Sequence, residues 1–281
     1  MEFEGATGRK LEKVLLHRTG RAIADFGLLR EGDRVAVGLS GGKDSFSLTL
    51  LLDQLRRKAP VRFEMVALTA HNGSDLFQSG LISDFLRRRE IPYKIEMTDI
   101  SRIVPEKLRP GTPPCSLCAR LRRGALYGAA EKLGCNKLAL GHHLDDIIET
   151  LLMNLFFEGA LKAMPPKLLA ENGRVTVIRP LAYVPEAMLA QYAAEQGAPV
   201  VDCGCFLCGA KESERRRMKE LVSTVSARYP KARRAALRAL MNVEPRFLLD
   251  AKMHDFGKEE ALSGRVEGRQ GRQPERQEGT I

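Results

Sequence analysis

The chain has 281 residues, 44% of them apolar, with 45 basic against 35 acidic side chains and a formal net charge of +10. This size and apolar content suit one large domain with appendages. No apolar run approaches the roughly 18 residues a membrane helix needs, and the polar residues 1–10 carry no signal-peptide pattern. The expectation is a soluble, cytoplasmic protein without a membrane partner, and the cationic surplus points to a polyanion.

In chain order, residues 11–29 show helical periodicity, with apolar positions at Val14, Leu15, Ala22, Ile23 and Phe26 and basic side chains opposite. RVAVGL (34–39) predicts a buried strand, followed by a Gly-rich turn and an apolar helix over 46–55. Residues 63–68 predict a second strand, 76–89 a helix and 93–97 a third strand. This β-α-β-α-β rhythm predicts an α/β fold with a doubly wound, mostly parallel sheet. The Pro- and Gly-rich stretch 104–114 predicts a loop that delivers Cys115 to the surface before a helix over 119–133. KLALG (137–141) predicts a strand, 142–157 a helix, 175–178 the last core strand, 187–196 a helix and 198–202 an extended segment. Residues 213–229 and 231–241 predict a basic helical pair. From about Gly257 the composition predicts a disordered tail. The expected division is a helical segment over 1–30, a nucleotide domain over 31–202, a cysteine motif with basic helices over 203–256, and the tail over 257–281.

Ser40-Gly41-Gly42-Lys43-Asp44-Ser45 lies between a predicted strand and a predicted helix. Glycines there let backbone amides curl around phosphate oxygens, and the helix N-terminus adds unpaired N–H groups and a favourable dipole. Lys43 supplies a point charge; Ser40 and Ser45 supply hydroxyls. The spacing differs from a P-loop, which needs four residues between its glycines and Ser or Thr after the lysine. A second constellation, Gly141-His142-His143-Leu144-Asp145-Asp146, follows the KLALG strand, so it sits at a strand carboxyl end where α/β folds bind ligands. Asp145 and Asp146 there suit Mg²⁺ binding, a helix N-cap, or both. The SGGKDS loop resembles that of the PP-loop ATP pyrophosphatases. The resemblance implies that it holds the β,γ-pyrophosphate of ATP while AMP is transferred to a substrate. The Gly141-to-Asp146 stretch resembles the GHxxDD element of the same family.

Five of the six cysteines fall in two clusters: Cys115 with Cys118, and Cys203, Cys205 and Cys208. In a reduced chain such clusters point to metal or redox chemistry more than to disulfides. The two C-x-x-C pairs are too far apart for an ordinary zinc ribbon, although zinc stays open. An iron–sulfur cluster with three protein thiolates leaves one iron open to sulfide or persulfide. Cys135, in a predicted helix-to-strand turn, reads as a small core residue.

CSLCARLRRGALY (115–127), LALGHHLDD, KAMPPKL (162–168), VIRPLAY (177–183) and CFLCG (205–209) occur in that order. Together they resemble the tRNA 2-thiocytidine synthetases (TtcA family), with the similarity running from about Leu11 to about Phe247. That resemblance implies thiolation of a cytidine in the tRNA anticodon loop, at position 32, using ATP, Mg²⁺ and a [4Fe–4S] cluster. It assigns the cluster to Cys115, Cys118 and Cys208 and leaves Cys205 for sulfur relay. It also implies a sulfur donor such as a cysteine desulfurase and, as in relatives, a homodimer. Two places depart from the family pattern: residues 68–74 after the second strand, and Leu144, where the family usually has arginine.

Three basic clusters adjoin these motifs: Arg120, Arg122 and Arg123; Lys162 and Lys167; and Arg215, Arg216 and Arg217. They are the candidate grips for RNA phosphates around a splayed base. The mechanism expected has Ser40, Lys43 and Ser45 on the triphosphate, with Gly41 and Gly42 in the backbone cradle and Gly141, His142 and Asp145 completing the nucleotide site. Asp44 and Asp146 stand near Mg²⁺, and the base oxygen attacks the α-phosphate. Sulfur then displaces AMP. The alternatives are a relative acting on another tRNA base such as uridine, or a non-catalytic RNA-binding or metal-sensing protein.

Overall fold

The computed structural model describes residues 8–109, 114–201, 214–253, 255 and 256. Cys203, Cys205, Cys208 and the tail expected from Gly257 lie outside the described residues. Through Leu240 the chain forms one compact unit. A second unit, residues 241–281, contains a 3-10 turn at Pro245–Phe247 among its described residues.

The six strands are β1 (Asp33–Gly38), β2 (Phe63–His71), β3 (Tyr93–Met97), β4 (Lys137–Ala139), β5 (Lys167–Leu169) and β6 (Thr176–Ile178). Their order is β3-β2-β1-β4-β6-β5, parallel throughout except for the antiparallel edge pair β5–β6. The doubly wound expectation holds. The strand order reverses between β1 and β4, and ligands bind at such a switch point because the flanking connections leave to opposite sides. Strand β5 was not expected: three residues long, at an edge and followed by a turn at Ala170–Gly173, it carries no alternation signal.

Alternation splits the core cleanly. Val35, Val37, Met65, Ala67, Ala139 and Ile178 face one layer, built with α1 (Gly8–Asp25), α2 (Lys43–Lys58), α3 (Ser79–Arg88) and α7 (Glu186–Glu195). Ala36, Leu68, Ala70, Leu138 and Val177 face the other, where α5 (Pro114–Lys132) inserts Leu126, Ala129 and Ala130. Both faces are covered, as a parallel sheet requires.

One expectation needs correcting. Within the stretch read as a loop, residues 104–107 close α4 (Ile100–Lys107), and α5 opens at Pro114 rather than at Ala119. Ile100 and Val104, one turn apart and both buried, anchor the short helix despite Pro105. Proline suits a first helical position, since its missing N–H has no partner there anyway. Cys115 therefore stands in the first turn of the helix rather than on a loop before it. The extended segment expected after α7 forms no strand through Val201, the last described residue before 214.

α6 (Leu144–Phe157) packs on α8 (Glu214–Arg228) and α9 (Ala232–Met241) through Leu144, Ile148, Leu152, Val222, Ala236 and Leu237. Leu144 is buried in that seam. An apolar side chain at this position therefore packs the helices, where the family pattern would place a cation.

Candidate active site

The exits of β1 and β4 build the site between them. After β1, Gly41 turns with φ +90°, a conformation that disfavours any Cβ. Serine hydroxyls hold the loop in shape. Ser45 Oγ donates to the Gly42 carbonyl at 2.8 Å and accepts the Ser40 N–H at 3.2 Å. Gly42 caps α2 without a side-chain acceptor, so the first turn of this helix keeps amides for a ligand.

After β4, His143 caps α6 in a reciprocal box. The Asp146 carboxylate accepts the His143 N–H at 3.0 Å, and His143 Nδ1 accepts the Asp146 N–H at 3.4 Å. Gly141 lets the two loops meet: a Cβ there would lie 3.1 Å from Asp44 C and Ser45 N.

The resulting cavity measures about 370 Å³. It is walled by Ser40, Gly42, Asp44 and Ser45 from the first loop and by Gly141, His142 and Asp146 from the second. The cysteine helix supplies the third wall, with Ala119, Arg122, Arg123 and Leu126. Three lining side chains carry buried atoms without a hydrogen-bond partner: Asp44 Oδ1, His142 Nδ1 and Arg122 Nε. Burying polar atoms unpaired is costly, so the cavity suits a polar, charged ligand. Burial first, then the positive charge of Arg179, push His142 down to about 4, so it is neutral at physiological pH. Burial also raises the Asp44 carboxyl.

Cys115 is exposed and Cys118 half-buried, one helical turn apart on α5. That spacing places both thiols on one helix face. Arg122, one turn further, brings Nη2 to 3.9 Å from Cys118 Sγ and also lines the cavity. Cys135 is buried as expected, and burial pushes its thiol up.

Two described residues on either side of 202–213 also reach this site. The Val201 N–H donates to the Gly41 carbonyl at 2.9 Å. On the other side, Arg215 reaches Asp146 at 3.0 Å and Glu149 at 3.6 Å.

Several expected site residues have other partners. Asp145 does not line the cavity: its carboxylate accepts the Glu186 N–H at 2.8 Å and meets Arg233 at 2.6 Å. Lys43 points to Glu186 at 3.0 Å and Asp44 at 3.2 Å. Lys167 donates to the Gly27 carbonyl at 2.6 Å. Arg216 pairs with Glu220 and Arg217 with Glu214, each within α8. Arg120, Arg123 and Lys162 are exposed.

Glu186 was not singled out from sequence. It receives Lys43 and Lys219, the latter at 2.7 Å. Burial opposes its ionisation, but hydrogen bonds from Lys219 and Lys43 outweigh that and hold it near 2. The available signal was Pro185-Glu186 opening a helix. Glu149 was also missed. Burial, reinforced by the charge of Asp146, raises it to about 7. A second cleft of about 280 Å³ joins Asp44, His143, Asp146, Glu149 and Glu186 to Arg215, Arg216 and Lys219.

The PP-loop domain family matches residues 11–202. A tRNA-cytidine(32) 2-sulfurtransferase of Geobacter sulfurreducens is 53% identical over 241 residues, covering 86% of this chain and 94% of the relative. This chain belongs to the tRNA-cytidine(32) 2-sulfurtransferase family. A member from Syntrophotalea carbinolica is 50% identical over 249 residues, covering 89% of this chain and 95% of its own. The U34-tRNA thiolase NcsA of Methanococcus maripaludis, solved with its [4Fe–4S] cluster, shares the fold. Its TM-score is 0.68 at 22% identity, covering 85% of this chain and 81% of that one. In this tRNA-cytidine(32) 2-sulfurtransferase family member, the matched PP-loop domain includes both loops that wall the cavity at the β1 and β4 exits. No helix among the described residues is long and apolar enough to cross a membrane.

Proposed function

We propose that this chain thiolates the 2-position of cytidine 32 in tRNA, with ATP as the activating co-substrate. One observation carries the reading: the helix bearing Cys115 and Cys118 is itself a wall of the nucleotide cavity, through Ala119, Arg122 and Arg123. Activation and sulfur delivery thus share one space.

In this reading the amides of residues 40–45 take the β- and γ-phosphates, with Ser40 and Ser45 adding hydroxyls. Lys43 turns from Glu186 to the phosphates when ATP arrives. Asp44, whose Oδ1 lacks a partner, and Asp146 hold Mg²⁺. The cytidine O2 attacks the α-phosphorus and pyrophosphate leaves, giving an O-adenylated base. A sulfur nucleophile then adds at C2, and the C–O bond breaks to release AMP. Neutral His142 adds no charge to this wall, and its Nδ1 can hydrogen-bond the base or nucleotide.

The described cysteines fit a cluster site as far as they reach, because two thiols stand one turn apart on one helix face and the cationic Arg122 beside Cys118 favours the thiolate form that ligates iron. Cys208 would complete the set and Cys205 relay sulfur. When bound, a [4Fe–4S] cluster supplies an iron position open to a sulfur donor. Arg120, Arg123 and Lys162 are the RNA-phosphate contacts of this reading. It also includes a sulfur donor of the cysteine desulfurase class, a homodimeric state and a cytoplasmic location.

The test is anaerobic incubation of the iron-loaded chain with ATP, Mg²⁺, sulfide and unmodified tRNA, followed by nucleoside mass spectrometry. The expected product is 2-thiocytidine at position 32, with AMP and pyrophosphate in equal amounts. Thiouridine, or binding without pyrophosphate release, overturns the assignment.

A further inference from the structure

Arg179 is a buried cation that meets no carboxylate within ion-pair distance among the described residues. It follows Ile178, the last residue of β6, and is only 9% exposed. Its Nη1 donates to the Pro165 carbonyl at 2.6 Å and its backbone N–H to the Pro166 carbonyl at 2.8 Å. Its Nε is buried without a partner. Carbonyls satisfy donors but do not neutralise charge, and a buried charge without a counter-charge is costly.

The location explains what could neutralise it. The Leu140 N–H donates to the Ile178 carbonyl at 2.9 Å, so Arg179 leaves β6 beside the Gly141-His142 wall of the cavity. The charged and titratable groups in its electrostatic range are Tyr127, Arg123, Asp146 and His142. Arg123 has the same sign. Asp146 is already committed to the His143 N–H and to Arg215. Two atoms of the cavity wall, His142 Nδ1 and Arg122 Nε, are also unpartnered, and the charge of Arg179 acts on His142. β6 is two strands from β1. At about 4.8 Å per strand this puts Arg179 roughly 10 Å from the exit that carries the phosphate loop, so the β- and γ-phosphates are not its natural partner.

We propose that Arg179, with His142 and Arg122, forms a phosphoryl-oxygen subsite separate from the 40–45 loop. The oxygen comes from the α-phosphate of the nucleotide or from the RNA backbone beside the target base. Only the naming of these sources rests on the thiolation reading. The same residue fastens the 163–167 segment, which carries Lys167: its guanidinium holds the Pro165 carbonyl and its backbone N–H the Pro166 carbonyl, so filling the subsite also fixes that segment.

The test uses the full chain with Arg179→Met, probed with AMP and with an unmodified anticodon stem-loop RNA. Without ligand, the variant is expected to unfold at or above the wild-type temperature, because an uncompensated buried charge is gone. If the nucleotide is the source, AMP raises the wild-type unfolding temperature and has little effect on the variant. If RNA is the source, stem-loop affinity falls about tenfold and the slope of log affinity against log salt drops by about one. A lower unfolding temperature with both affinities unchanged marks a purely structural arginine and overturns the proposal. Should Arg179→Met not fold, Arg179→Lys keeps the charge but loses the planar fork. It is expected to bind one probe several-fold more weakly, and wild-type affinity for both would equally overturn the subsite. Thiolation by the wild-type preparation is scored in parallel: its failure alone sinks the functional reading and leaves the subsite standing.

Discussion

The Asp145 carboxylate accepts the backbone N–H of Glu186 at 2.8 Å, and Glu186 in turn holds Lys43 at 3.0 Å. The first turn of α6 thereby positions the first turn of α7, which grips the lysine of the phosphate loop. Asp145 acts on the Ser40-to-Ser45 loop through two intermediaries, from a buried position that lines neither of the two clefts.

Asp145→Ala should therefore behave as a folding mutation. It removes the cap of α7 and leaves Arg233 without its partner, a loss of about 2–4 kcal/mol by analogy with broken buried pairs. Urea titration of the purified variant measures this, and a loss under about 1 kcal/mol would refute the positioning role.

Glu186→Gln should release Lys43 for phosphate and lower the KM for ATP several-fold with little change in tRNA affinity. The variant also has a pH signature. The folded carboxyl, held near 2, lies below its ordinary 4.5, so its contribution is present above about 4.5 and disappears as pH falls toward 2. Acid unfolding of wild type should be steeper than that of the variant across this window. Superimposable acid profiles would mean that the Lys43 and Lys219 contacts contribute nothing in solution.

Glu149 works in the opposite direction. Its folded carboxyl is raised from 4.5 to about 7, so the associated stability is complete below about 4.5 and lost as pH rises through about 7. Glu149→Gln should flatten that decline and unfold at a higher temperature than wild type at pH 8, measured by calorimetry without divalent cations. Equal unfolding temperatures at pH 8 would count against a strained carboxylate.

Gly141→Ala tests the approach of the two loops. The added methyl would meet Asp44 C and Ser45 N, both backbone atoms, at 3.1 Å, so the phosphate loop must move. A shift of a few tenths of an ångström in a positioned site is expected to weaken ATP binding about tenfold, read by calorimetric titration. Unchanged affinity would show that the loop is not rigid there.

The sheet, the Gly-rich loop and the start of α6 were legible because each has a local signature: an apolar run, a Gly-rich turn after a strand, acidic residues opening a helix; the N-cap of α6 itself is His143, not Asp145 or Asp146. The unread features depend on distant pairings. Arg215 looks in sequence like one of three RNA-binding arginines, yet it lies on Asp146, 69 positions away. Glu186 meets Lys43 across 143 positions, and no window of the chain contains both. α4 was hidden by its own proline and by the Pro-rich residues after it.

The hydrogen bond from Val201 to Gly41 and the ion pair from Arg215 to Asp146 bring two separate stretches of the chain onto the cavity loops. The two attachments differ in kind. The first joins backbone to backbone, whereas the second joins a half-exposed guanidinium to a carboxylate and is weakened by salt. Rising ionic strength should therefore free the Arg215 end while the Val201 end stays in place.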